Sequence, residues 1–214
     1  MKRNKILFIF SLFFAFSASV LGQTSLKAKK LLDDTSAKIS SYKNYQFDFN
    51  YSLDNTIENI SQETKGEVIV ADKNYKLITP DLIQLFDGKN LYTIIPDNEE
   101  VLITKPDQSD IEILNPTKLI EIYETGYDFH WDILQNVRGN KIQYIKLIPT
   151  EESPDISYIL LGINLKSYDI HKLIEVGKQR TTTTLIIQNF TTNNNLSSDS
   201  FIFNKDDYPG FYIN

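Results

Sequence analysis

The stretch from Gly66 to Lys105 admits few folds. Short apolar runs at Val68–Val70, Tyr75–Thr79, Leu82–Phe86, Leu91–Ile95 and Val101–Thr104 are parted only by turn residues. The breaks are Asp72-Lys73-Asn74, Pro80-Asp81, Asp87-Gly88-Lys89-Asn90 and Pro96-Asp97-Asn98. In such turns Asp bonds its own backbone and Gly accepts positive φ. A parallel pair needs a crossover of a dozen residues or more, so strands this closely spaced pair as antiparallel hairpins. The stretch predicts an antiparallel meander, and it carries no obvious chemistry.

The flanks extend the same pattern. Tyr45, Phe47, Phe49, Tyr51 and Leu53 alternate strictly with polar residues, which places four aromatic rings on one face of a strand. Asp54 to Lys65 is polar and reads as a hairpin loop or frayed strand ends. Further strands are expected at Tyr127–Leu134, Lys141–Ile148, Ile156–Leu165, Ile170–Val176, Thr182–Phe190 and Ser200–Phe203.

Two helices interrupt the strands. In Ser25–Tyr42, residues Ala28, Leu31, Leu32, Thr35, Ile39 and Tyr42 recur at steps of three and four and form one apolar stripe. Such a helix either packs on the sheet or serves as a lid. Asn115-Pro116 caps a second, Thr117–Thr125, with Gly126 as its stop. The fold class is α+β, mainly β: about eleven antiparallel strands and two helices. A sheet of that size tends to curl or close on itself.

Residues 1–22 have the layout of a secretory signal peptide: Lys2, Arg3 and Lys5, then the apolar run Ile6–Phe16, then Ser17, Ala18, Ser19 and Gly22. Cleavage before Gln23 leaves residues 23–214 as one exported domain. Removing three of the 22 basic residues leaves 19 against 28 acids, a net charge of −9. That balance disfavours nucleic acid, whose phosphates demand Lys and Arg. With no cysteine, the exported chain relies on its core alone.

Catalytic signatures are missing. His130 and His171 are the two histidines, and no G-x-S-x-G marks a nucleophile turn. Two distant His do not make a zinc site. Asp107 to Glu112 lacks the alternation and central Gly of a calcium loop. The pairs Glu99-Glu100, Glu151-Glu152 and Asp206-Asp207 sit in polar turns. Neither an enzyme nor a cofactor is expected.

The order of elements resembles the LolA family of periplasmic lipoprotein carriers. Tyr45-Gln46-Phe47-Asp48-Phe49 follows the first helix much as the family's opening strand does. Gly66-Glu67-Val68-Ile69-Val70 is similar to its second strand. Leu85-Phe86-Asp87-Gly88-Lys89-Asn90-Leu91-Tyr92, followed by Ile95-Pro96, is similar to its Asp-Gly-Lys turn. Phe201-Ile202-Phe203 with Tyr208-Pro209-Gly210 looks like its closing strand. One departure is Asp72-Lys73, which stands where many members carry an Arg-Pro pair that holds the lid.

The resemblance implies an incomplete antiparallel β-barrel with helices over its concave face and an apolar interior for acyl chains. The implied partners are acylated lipoproteins, an inner-membrane releasing transporter and an outer-membrane acceptor, with the carrier a periplasmic monomer. Phe47, Phe49, Tyr51, Val68, Val70, Leu85, Tyr92 and Ile94 are expected to line the cavity, and Leu119, Ile122 and Tyr123 the lid. The alternatives are a carrier or sensor of a free lipid or pigment, and an interaction protein whose sheet is packed shut.

Overall fold

The computed structural model describes residues 25–105 and 126–214. The expected signal peptide and the second helix, with Leu119, Ile122 and Tyr123, lie outside the described residues.

Helix α1 occupies residues 25–40. Ala28, Leu31, Leu32, Thr35 and Ile39 are all buried, so the stripe at steps of three and four is the packed face. Lys29–Asp33 and Lys30–Asp34 pair along the opposite side at 2.7 and 2.9 Å. The helix ends where the Ser41 hydroxyl donates to the Lys38 carbonyl, at 2.6 Å. Lys38 straps that end to the sheet, its Nζ 2.8 Å from Asp169 Oδ1 and also donating to the Ser167 carbonyl.

Twelve strands follow: β1 (Asn44–Asn55), β2 (Ile60–Ala71), β3 (Asn74–Ile78), β4 (Ile83–Phe86), β5 (Leu91–Ile95), β6 (Glu100–Thr104), β7 (Tyr127–Val137), β8 (Asn140–Pro149), β9 (Ile156–Asn164), β10 (Ile170–Gly177), β11 (Thr181–Thr192) and β12 (Tyr212–Ile213). They form one sheet in the order β12-β6-β5-β4-β3-β2-β1-β11-β10-β9-β8-β7. Two meanders are thus joined through the β1–β11 pair, and the edges β12 and β7 do not meet. The sheet is open.

Three expectations are corrected. The sheet is not antiparallel throughout, because β12 runs parallel to β6, with Tyr212 opposite Glu100. Ser200–Phe203 is not a strand; its aromatic ring is used for stacking instead, as described below. Asp54–Lys65 is mostly strand, with β1 and β2 in register from Asn44↔Ala71 to Asn55↔Ile60 and a tight turn at Asn59, φ 52°. Residues 56–63 are all exposed. A ribbon with water on both faces has no reason to alternate, so the polar run hid its strands.

The core lies on the face of the sheet that α1 covers, called here the inner face. It unites Leu31, Leu32 and Ile39 with Phe47, Phe49, Val68, Leu77, Leu147, Leu161 and Leu185, among others. Gly66 lies beneath the Phe49 ring, its register partner. A Cβ there would stand 2.7 Å from Phe49 Cζ and would also meet the Ile78 carbonyl.

Candidate functional site

Residues directly opposite on antiparallel strands share a face, so the register sorts every side chain. One inner-face row runs Tyr51–Leu185–Leu173–Leu161–Ile145–Trp131, crossing β1, β11, β10, β9, β8 and β7. The next row runs Leu53–Thr183–Glu175–Ile159–Leu147–Phe129 over the same strands. On the other side of β1, Phe47–Val68–Leu77 and Tyr45–Val70–Tyr75–Phe86–Leu91 continue the face to β5. The inner face is a continuous apolar band.

Its middle is buried under α1 and its margins are half-buried. Tyr127, Phe129 and Trp131 stand on β7 at one margin, with Phe86 and Leu91 on β4 and β5 at the other. Aromatic contacts knit the band. Phe190 packs against Tyr42, Tyr45 and Phe47 at centroid distances of 6.2, 5.8 and 6.2 Å, and Tyr75 meets Phe86 at 5.6 Å. Glu175 is the ionisable group of the second row. Burial pushes its carboxyl up and Asp155 adds to this. The Tyr51 phenol is also raised, by burial first, with a hydrogen bond to Thr183 opposing and Glu175 reinforcing.

The eight expected lining residues do not share one face. Phe47, Phe49, Tyr51, Val68 and Val70 are on the inner face. Leu85 opposes Lys76 and Tyr92, and Ile94 opposes Ile83 and Val101, which places Leu85, Tyr92 and Ile94 on the outer face. There Leu85, Ile94 and Val101 are buried in a second, small core that the chain's own C-terminal segment covers. Phe203 stacks on Tyr92 at 4.6 Å, Tyr208 on Phe203 at 5.6 Å, and Phe211 meets Tyr208 at 5.5 Å. Phe86 and Leu91, one residue away from the expected pair, are the ones that face inward.

The Asp-Gly-Lys turn is structural. Asp87 Oδ1 accepts from the Lys89 and Asn90 N–H groups at 2.8 and 2.7 Å, and Oδ2 from the Tyr92 hydroxyl at 3.1 Å. Burial pushes this carboxyl up, but these hydrogen bonds outweigh it and hold it below the usual range. Asp72, Arg138 and Arg180 occupy turns at φ 52°, 49° and 56°; both arginines after residue 3 therefore sit at hairpin tips.

Other chemistry is sparse. His130 opposes Lys146 on the outer face, and burial, with Lys172 beside it, lowers His171. Among the described residues no three His, Cys, Asp or Glu side chains gather to hold a metal. The outer face carries an open groove of about 720 Å³ with a mixed lining, Asn50, Glu63, Lys65 and Asp81 beside Pro80 and Ile186. Sequence reasoning missed Glu175, Phe129, Trp131 and Phe190. The signal for Glu175 was present: it follows Leu173 by two, the strand period.

No family model and no curated protein matches the chain. Solved structures do. An uncharacterized conserved protein from Thermus thermophilus superposes with a TM-score of 0.57 at 9% identity, over 87% of this chain and 98% of its own. A DUF1329 family protein from Desulfovibrio piger does so at 0.50 and 10% identity, over 86% and 99%. A LolA superfamily protein from Nitrosomonas europaea is similar at 0.43 and 11% identity, over 82% and 97%. At such identities the likeness is one of fold: a mainly β chain with one described helix on an open sheet.

Proposed function

We propose that the protein is an exported carrier of acylated lipoproteins, whose inner face receives the acyl chains. The chains pass from a releasing transporter at the inner membrane to an acceptor at the outer membrane. The observation that supports this most is the extent of the apolar band relative to its cover. Strands lie ~4.8 Å apart, whereas a helix with its side chains is ~10–12 Å across. The one described helix shields two or three strands, and among the described residues Tyr127, Phe129, Trp131, Phe86 and Leu91 are half-buried beyond it. Acyl chains cost ~0.8 kcal/mol per exposed CH₂, so transit through water requires an apolar sleeve of this kind.

The test is to express the full chain, residues 1–214, in a Gram-negative host, purify it gently from the periplasm and identify what co-purifies by mass spectrometry. Acylated lipoproteins that are lost from Phe129→Glu and Trp131→Glu variants would support the reading. A free lipid in their place would reassign the cargo. Nothing bound, with no uptake of an apolar dye, would mean the sheet is packed shut and would refute it.

A further inference from the structure

A single carboxylate interrupts the apolar rows. Glu175 opposes Ile159 on one side and Thr183 on the other, with Leu53, Leu147 and Phe129 completing its row. The neighbouring row brings Tyr51, two strands away on β1. Tyr127 stands half-buried on the same face, on β7. Among the described residues no ion pair ends on the Glu175 carboxylate, and no Lys, Arg or His neutralises it. The charge that acts on it is Asp155, a second acid.

An unpaired, half-buried carboxylate is a cost to the fold. Nothing in the row compensates that cost, and an apolar side chain at this register would continue the band. A carboxylate here becomes favourable only when a cation arrives. A cation within a few ångströms favours the charged form and offsets the burial, and a hydrogen bond involving a charged group is about twice as strong as a neutral one.

We infer that Glu175, with Tyr51, Tyr127 and Thr183, is a headgroup site for a protonated amine. The ammonium of an amphiphile sits at the carboxylate while its hydrocarbon chain lies along the half-buried end of the inner face, beside Ile156, Tyr127 and Phe129. This rests on the inner face being the acyl site. Both phenols are pushed up, by burial first and by Glu175 second, so they stay neutral at neutral pH and serve as hydrogen-bond partners rather than competing anions.

The experiment uses the delipidated full chain loaded with a fluorescent apolar dye. Dodecylamine, dodecanol and dodecanoate are titrated to displace it, in wild type and in Glu175→Gln. The expected result is that the amine displaces dye about tenfold more tightly than the alcohol. That preference weakens in high salt and disappears in Glu175→Gln, while the alcohol binds both proteins equally. Equal binding of amine and alcohol by wild type, or an amine preference that survives Glu175→Gln, would overturn the inference while leaving the acyl site standing. Failure of all three amphiphiles to displace dye would instead remove the acyl site itself, and the headgroup site with it. The Gln side chain is isosteric, and a Tyr51→Phe variant, expected to weaken the amine more than the alcohol, gives a second readout should Glu175→Gln fold poorly.

Discussion

Leu32 is the residue whose loss measures what α1 contributes. It is 0% exposed, in the middle of the helix's apolar stripe. Leu32→Ala removes three carbons from a dry contact, and at ~0.8 kcal/mol per carbon the transfer cost is about 2.4 kcal/mol. The space left behind raises this to about 3–4 kcal/mol where neighbours cannot collapse. They cannot easily do so here, because sheet residues of the same core, such as Phe47, Phe49 and Leu161, are fixed by strand ladders on both sides. Among the described residues the helix is held by its stripe and by the Lys38 strap to Asp169 and Ser167. The loss therefore falls on the docking of α1 rather than on the sheet. Native-state hydrogen exchange reads this directly: the amides of residues 29–40 should exchange roughly a few hundredfold faster, since each 1.4 kcal/mol is about tenfold. Those of β1 and β11 should change much less. A loss below about 1 kcal/mol, or an equal loss across helix and sheet, would refute the reasoning, because α1 would then be either loosely laid or inseparable from the core.

Gly66→Ala should destabilise the fold by about 3 kcal/mol or more, because the new methyl meets the Ile78 carbonyl and the Phe49 ring at once; a urea midpoint unchanged from wild type would contradict the packing. Asp87→Ala should cost about 1 kcal/mol at neutral pH through the lost turn hydrogen bonds. The Asp87 carboxyl lies below its usual 3.8, so its contribution is present above that pH and fades as pH falls through the folded value. The gap between the two proteins should narrow on acidification, and a gap that widens would sink the assignment. Glu175 has the opposite sign. Its folded value is raised above 4.5, so wild type loses stability as pH climbs from there through the folded value, whereas Gln does not titrate. Glu175→Gln should be the more stable protein at neutral pH and should lose that advantage below about pH 4.5. Thermal melts across the pH range would show it, and a less stable variant at neutral pH would mean the carboxylate has a partner.

The meander was legible because turn chemistry marks it. Asp-Gly and Pro-Asp breaks every few residues leave no choice but hairpins, and α1 was legible because its stripe is the face it buries. What failed was parity and context. Leu85 and Tyr92 are as apolar as Phe86 and Leu91, and alternation alone does not say which of two adjacent apolar residues faces the core. The difference lies in Phe203, Tyr208 and Phe211 more than a hundred residues away, which fold back over the outer face and make it a second core. The same long-range contact removed the strand expected at Ser200–Phe203. The β1–β2 ribbon was missed for the reverse reason: with no buried face, its sequence has no pattern to keep. Glu175 was passed over because one polar residue in an apolar strand reads as noise until the register shows what surrounds it.

The two faces meet one problem in different ways, and the difference argues for a ligand. The outer apolar patch on β4, β5 and β6 is closed by the chain's own tail, through the rings of Phe203, Tyr208 and Phe211. The inner rows cross six strands, five spacings or about 24 Å, and the one described helix cannot span that width. Selection for stability alone would fill the margin with larger side chains and place Leu or Val at 175, since a half-buried carboxylate with no counterion among the described residues weakens the fold. The row holds Glu instead, beside two phenols and a threonine hydroxyl. Local rules are broken where function requires it, and here the residue that stability disfavours is the one that recognition of a cationic headgroup would select.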